Sequence, residues 1–205
     1  MISTKEMRQL EKEAQDNGIT TLQLMENAGA NCAKILDEEV LLKGKKILVF
    51  CGTGNNGGDG FCFARHTAIF GGDVSVFLVK KSSEIKTNEA RRNFEIITNY
   101  GFEIFEENIP EYMFQKADII IDALLGTGAK GAPKEPYASA MEKINTSSAF
   151  KVSIDVPSGV DADTGGCLGI AVKPDITICL HDVKTGLDEK SCGKIMVAPL
   201  GILHN

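Results

Sequence analysis

The chain has 205 residues, 43% hydrophobic and 24% charged, ordinary values for a globular protein able to bury a core without disulfides. Its net charge of −6 argues against an extended nucleic-acid surface, and no apolar run reaches the roughly 18–20 residues of a membrane span. The start MISTKEMRQLEK lacks the apolar stretch of a secretory signal, and six scattered cysteines without a CxxC pair read as reduced thiols of a cytoplasmic protein rather than as disulfides or a zinc site.

In chain order, Ser3 and Glu6 stand at capping-box spacing ahead of Met7, Leu10 and Ala14, predicting a helix that Asn17-Gly18 stops. Thr20 and Gln23 open a second helix, whose apolar stripe runs through Met25, Ala28, Cys32, Ile35, Leu36 and Val40 to an end at Gly44. These stripes either cover a sheet or offer a face to a second copy. Seven strand-like runs follow: KKILVF, DVSVFLV, FEIFE, ADIIIDALL, AFKVSIDV, DITICL and KIMVAPL. Helical runs at 60–70, 85–99 and 136–146 separate several of them, with Gly101 as a stop. Continuous apolar strands alternating with amphipathic helices predict a three-layer, Rossmann-like, doubly wound and mostly parallel sheet. The expectation is one domain over 1–205, with helices 3–42 packed on an α/β core spanning 45–201.

In such a fold ligands bind beyond the carboxyl ends of the strands. Three polar, glycine-containing loops follow strands: GTGNNGGDG (52–60), LGTGAKGAP (125–133) and PSGVDADTGG (157–166). The first satisfies G-x-G-x-x-G, whose glycines let a pyrophosphate approach the backbone at a helix start. A tight strand-to-helix turn satisfies it equally, but a plain turn has no need of Asn55, Asn56 and Asp59. No Gly-Lys-Ser/Thr follows, so this is not a P-loop. The second strand ends in LVKKSS, without the ribose-binding acid of a standard NAD site. Lys80 and Lys81 read as exposed loop lysines.

Asp122 closes a run of isoleucines, where a carboxylate must be hydrogen-bonded, solvated or bound to a cation. It either holds the next turn or takes part in a site. GTGAKG then supplies a second set of backbone donors and Lys130. Asp155 repeats the placement after FKVSI, and Pro157-Ser158-Gly159 turns the chain sharply there. Asp155 is the best candidate for general acid/base work. His66 falls in a helix, His204 at the C-terminus, and His181 is held in reserve on the rim. Asn56, Asp122 and Ser158 all offer oxygen, the donor type of a hard cation, and their single formal charge suits a monovalent ion. A hydrogen-bond network without an ion explains them equally.

Together GTGNNGGDGFCFAR, DALLGTGAKG and SIDVPSGVDADTG, preceded by LMENAG, resemble the NAD(P)HX epimerases, in the same order and across nearly the whole chain. The resemblance implies a Rossmann-like fold and interconversion of the R and S forms of hydrated NADH and NADPH, a metabolite-repair reaction. It implies dinucleotide contacts from Asn55, Asn56, Gly57, Gly58 and Asp59, from Gly126, Thr127, Gly128, Ala129, Lys130, Gly131 and Ala132, and from Asp155. It further implies one potassium ion per subunit on Asn56, Asp122 and Ser158, with Asp155 as the catalytic residue. In LHDVKTGL, Val183 stands where the family often has proline, and Lys184 is accordingly left out of the expected site. Many bacterial relatives carry a following dehydratase domain. With the chain ending at Asn205, the expectation is a single-function protein or an excised domain that works with a separate or fused dehydratase.

Overall fold

Every apolar run singled out above forms a strand: β1 (Lys46–Cys51), β2 (Asp73–Leu78), β3 (Glu103–Glu106), β4 (Ile119–Ala123), β5 (Phe150–Ile154), β6 (Ile176–Leu180) and β7 (Lys194–Ala198). The structure is a computed structural model that describes residues 1–203, so His204 lies outside the described residues. The strands make one sheet in the order β3-β2-β1-β4-β5-β6-β7, with each adjacent pair parallel. The expected "mostly parallel" sheet is therefore parallel throughout. From β1 the chain winds outward through β2 to β3, then returns to place β4 on the other side of β1. That reversal parts the loops above β1 and β4 and opens a crevice between them.

Side chains alternate across the sheet as strand geometry requires. Ile47, Val49, Ile119 and Ile121 share a core with Leu24, Leu36, Phe61, Phe63 and Ile97. Leu48, Phe50 and Ile120 face the other way, toward Met141, Ile144 and Phe114. The first layer comprises α1 (Thr4–Asp16), α2 (Thr21–Val40), α3 (Asn55–Ile69) and α4 (Asn88–Asn99). The second holds α5 (Glu111–Lys116) and α6 (Tyr137–Thr146), while α7 (Glu189–Cys192) precedes β7. The sequence pattern misses α5 and α7, which are too short to show a period.

Both expected capping boxes form. Glu6 N donates to Ser3 Oγ at 3.2 Å while Ser3 N donates to Glu6 Oε2 at 2.8 Å, and Thr20 and Gln23 do the same for α2. The apolar stripe of α2 is spent inside the chain, with Ala28, Cys32, Ala33 and Leu36 all buried. Its contact with α3 is close: a Cβ on Gly29 would stand 2.2 Å from Cys62 Cβ and 2.6 Å from the Phe63 backbone nitrogen. Because α3 backbone cannot recede, Gly29→Ala is expected to cost roughly 3 kcal/mol, a fall of about 6–12 °C in melting temperature. Thermal melts followed by circular dichroism measure it.

The largest boundary difference from expectation is at α3, while α4 starts at Asn88 rather than 85 and α2 ends at Val40 rather than Gly44. Helix α3 begins at Asn55, not residue 60, so NNGGDG is the opening of a helix rather than a loop. Glycine is a poor helix former, but here tertiary packing overrides propensity. A Cβ on Gly57 would lie 1.9 Å from the Gly52 carbonyl oxygen, and one on Gly58 2.6 Å from Met25 Sδ.

Candidate active site

The crevice at the β1/β4 reversal is a cleft of about 600 Å³, within the size range of small-molecule sites. The start of α3 contributes Asn55, Asn56 and Asp59, the loop after β4 contributes Gly126, Thr127, Gly128, Ala129 and Lys130, and the turn after β5 contributes Asp155. The three glycine-containing loops were expected on one rim, and residues from the first two meet here with Asp155 just ahead of the third. Thr53, buried in the first loop, ties it to α6 through the Tyr137 hydroxyl, 3.1 Å from Thr53 Oγ1.

Asp155 sits at φ 70°, in the left-handed region. Aspartate tolerates that conformation better than most residues, and such backbone outliers concentrate at functional sites. Its buried carboxylate is held from two sides: Lys184 Nζ lies 2.6 Å from Oδ1 and Thr127 N donates to Oδ2 at 3.3 Å. A side chain in place of the Gly126 hydrogen would crowd both Asp155 Oδ2, at 3.0 Å, and Asn56 Cγ, at 3.3 Å. Asn56, Gly126 and Asp155 thus stand together.

Lys184 is what sequence reasoning missed. It is 1% exposed and also donates to the Leu180 carbonyl at 2.7 Å. Its backbone is braced by the N-terminus, where Ile2 N donates to Val183 O and Thr185 N to Ile2 O. The residue is within the cited LHDVKTGL stretch, but burial of a lysine beside an aspartate twenty-nine residues upstream is a tertiary event with no local signature. Met7, Arg8 and Glu11 of α1 also line the cleft. Glu11 betrays itself weakly in sequence, as an acid four residues after Met7 on the apolar face.

Other expected residues lie off the cleft wall. Gly57 and Gly58 face protein, as above, while Gly131 and Ala132 are exposed beyond the lining. Asp122 and Ser158 lie beneath it. Asp122 is 1% exposed and accepts from Ser153 Oγ, Ser158 N, Ser158 Oγ and Leu124 N, at 2.6 to 3.2 Å. Burial pushes its carboxyl up, and these four neutral donors pull it back only in part. Ser158 Oγ in turn accepts from Leu125 N at 2.9 Å. Asn56, close to Gly126, has both amide atoms buried without a hydrogen-bond partner among the described residues. The unpartnered Asn56 amide oxygen, with the oxygens of Asp122 and Ser158, is a donor type that fits a monovalent ion.

The remaining candidates fall away. His66 Nε2 pairs with Glu26 on α2 at 2.7 Å, His181 follows β6 outside the cleft lining, and Lys80 pairs with Glu84 at 2.6 Å. Among the described residues no helix is long and apolar enough to cross a membrane.

A parallel α/β sheet with one polar cleft at its switch point defines the class of protein. Residues 21–186 match the family model described as YjeF-related protein N-terminus. The chain is 37% identical to the NAD(P)H-hydrate epimerase of Nitrosopumilus maritimus, over 98% of this chain and 95% of that one. It is 43% identical to the bifunctional NAD(P)H-hydrate repair enzyme Nnr of Archaeoglobus fulgidus, over 98% of this chain but 41% of that one. The chain therefore spans about two fifths of the length of that bifunctional relative. The crystal structure of yeast ynu0 superposes with a TM-score of 0.83 at 28% identity, covering 93% of this chain and 85% of that one. The chain belongs to the NAD(P)H-hydrate epimerase family.

Proposed function

We propose that this chain interconverts the R and S forms of hydrated NADH and NADPH at carbon 6 of the nicotinamide ring. The observation carrying this reading is the buried Asp155 carboxylate, held in the cleft between Lys184 Nζ and the Thr127 amide. The substrate's hydroxyl sits beside the ring nitrogen. When that hydroxyl is protonated and leaves as water, the nitrogen lone pair stabilises a planar iminium ion, and water returning to the opposite face inverts the centre. Proton exchange with Asp155 assists this chemistry. The backbone amides of Gly126 and Gly128 would hold the pyrophosphate, and Asn55 at the start of α3 adds a helix N-terminus. No hydride moves, so a ribose-binding acid after β2 is not required. Asn56, Asp122 and Ser158 would hold potassium, whose charge would offset the buried Asp122 carboxylate and occupy the Asn56 amide oxygen.

The names of two relatives, each a bifunctional NAD(P)H-hydrate repair enzyme, are compatible with the fused or separate dehydratase that the sequence resemblance implies. Six free cysteines, five of them buried, support a cytoplasmic setting.

The experiment is chromatography that resolves the two epimers of purified hydrated NADPH, with and without protein. Faster approach to the epimer equilibrium, with no loss of reduced-nicotinamide absorbance, is the expected result. A rate equal to the blank, or oxidation of NADPH on adding carbonyl compounds, overturns the reading. Exchanging potassium for sodium in the assay is expected to lower the rate. In ¹⁸O water each inversion is expected to place one heavy oxygen on carbon 6, which a ring-opening route does not require.

A further inference from the structure

Asp59 is a buried acid that this mechanism leaves unused. It is 8% exposed and lies one turn into α3, and its carboxylate makes no hydrogen bond to any described residue. Its carboxylate borders the main cleft and also a small cavity of about 80 Å³ walled by Glu11, Met25 and Ala28. It therefore stands on the α1/α2 side of the cleft, while Asp155 stands against the loop after β4.

The charges around Asp59 do not balance. Asp155 from the turn after β5 and Glu11 from α1 both face it, against the single ammonium of Lys184. That ammonium is already engaged by Asp155 Oδ1 and the Leu180 carbonyl, and Arg8 acts on Glu11. Cys32 on α2, Cys51 on β1 and Cys62 on α3 also face Asp59, and burial pushes each thiol up, so they bring no positive charge. Burial first, then Asp155 and Glu11, hold the Asp59 carboxyl well above the usual carboxylate range. Asp155 is instead the anion of an ion pair. One buried acid without a hydrogen-bond partner and one held in an ion pair, in the same cleft, can divide the roles of proton donor and proton acceptor.

Resting on the epimerase reading, we propose that Asp59 is a second catalytic residue, the donor that protonates the departing hydroxyl, and that Asp155 accepts the proton of the incoming water. The Asp59 O–H bond breaks and its proton joins the hydroxyl oxygen. The carbon–oxygen bond then breaks, its electron pair leaving with water, and the ring nitrogen lone pair forms the iminium double bond. On the other face a water oxygen bonds to carbon 6, the double-bond pair returns to nitrogen, and the Asp155 carboxylate takes the surplus proton. One proton has crossed from Asp59 to Asp155. The site then serves the opposite epimer, or resets through water in the cleft.

The test compares wild type, Asp59→Asn and Asp155→Asn in the epimer assay across roughly pH 5–9, with NADPH binding followed by fluorescence. Wild type should show a rate that falls toward alkaline pH. Asp59→Asn should lose about 100-fold in kcat and the alkaline limb, and keep NADPH affinity within about threefold. The variant should also fold well. With its folded-state pKa raised, wild-type Asp59 withdraws stability as pH rises through that value, and asparagine removes the loss. Asp59→Asn should therefore melt no lower than wild type at about pH 8. A rate within about threefold of wild type, a loss confined to NADPH affinity, or an intact alkaline limb overturns the proposal. Even if the variant fails to fold, a wild-type rate without an alkaline limb overturns it. A wild-type protein with no epimerase activity sinks the underlying function instead.

Discussion

Replacing Asp155 by asparagine is expected to slow epimer interconversion by roughly 10²–10⁴-fold, the usual cost of removing an acid/base group. The substitution keeps the size and shape of the side chain, and the amide oxygen can still accept from Lys184 Nζ or the Thr127 amide, the two groups that now hold the carboxylate. Binding of NADPH should change far less than the rate, because the proposed pyrophosphate contacts come from the backbone amides of Gly126 and Gly128. Steady-state rates from resolved epimer chromatography, with circular dichroism to verify folding, decide it. Near-wild-type turnover in a folded Asp155→Asn protein removes Asp155 from the mechanism.

Lys184→Met is expected to be the most destabilising of the substitutions considered, by roughly 3–5 kcal/mol, because it strands one member of a buried ion pair. For a chain of this size that is a drop of about 6–20 °C in melting temperature. Methionine matches the lysine stem, so packing is preserved and the loss reports the charge. The Leu180 carbonyl also loses its ammonium donor. Combining Lys184→Met with Asp155→Asn should recover much of the stability, since no unpaired charge is then buried. Thermal melts of the four proteins form the double-mutant cycle. A loss in the double variant equal to the sum of the two single losses shows that the pair contributes nothing beyond the separate contacts of its members.

Helix starts at Ser3 and Thr20 were legible because a capping box is local chemistry, completed within four residues. All seven strands were legible because both faces of a parallel sheet are buried, which leaves unbroken apolar runs. The boundary that departed furthest was that of α3. NNGGDG carries the composition of a loop, yet its glycines are there because α2, α4 and the preceding turn leave no room for side chains. Glycine marks close approach and flexibility alike, and only the neighbours distinguish them.

For the site, the amino-acid sequence by itself determined the fold class, the three rim loops and the placement of Asp122 and Asp155 at strand ends. Each of these follows from residues adjacent in the chain. Tertiary structure alone decided that Lys184 is buried against Asp155, that Glu11 of α1 reaches the same cleft, and that Asp59 has no donor of its own. Those facts concern charges brought together from distant segments. Whether a carboxylate is an acceptor, a donor or a structural tie depends on what folding packs around it.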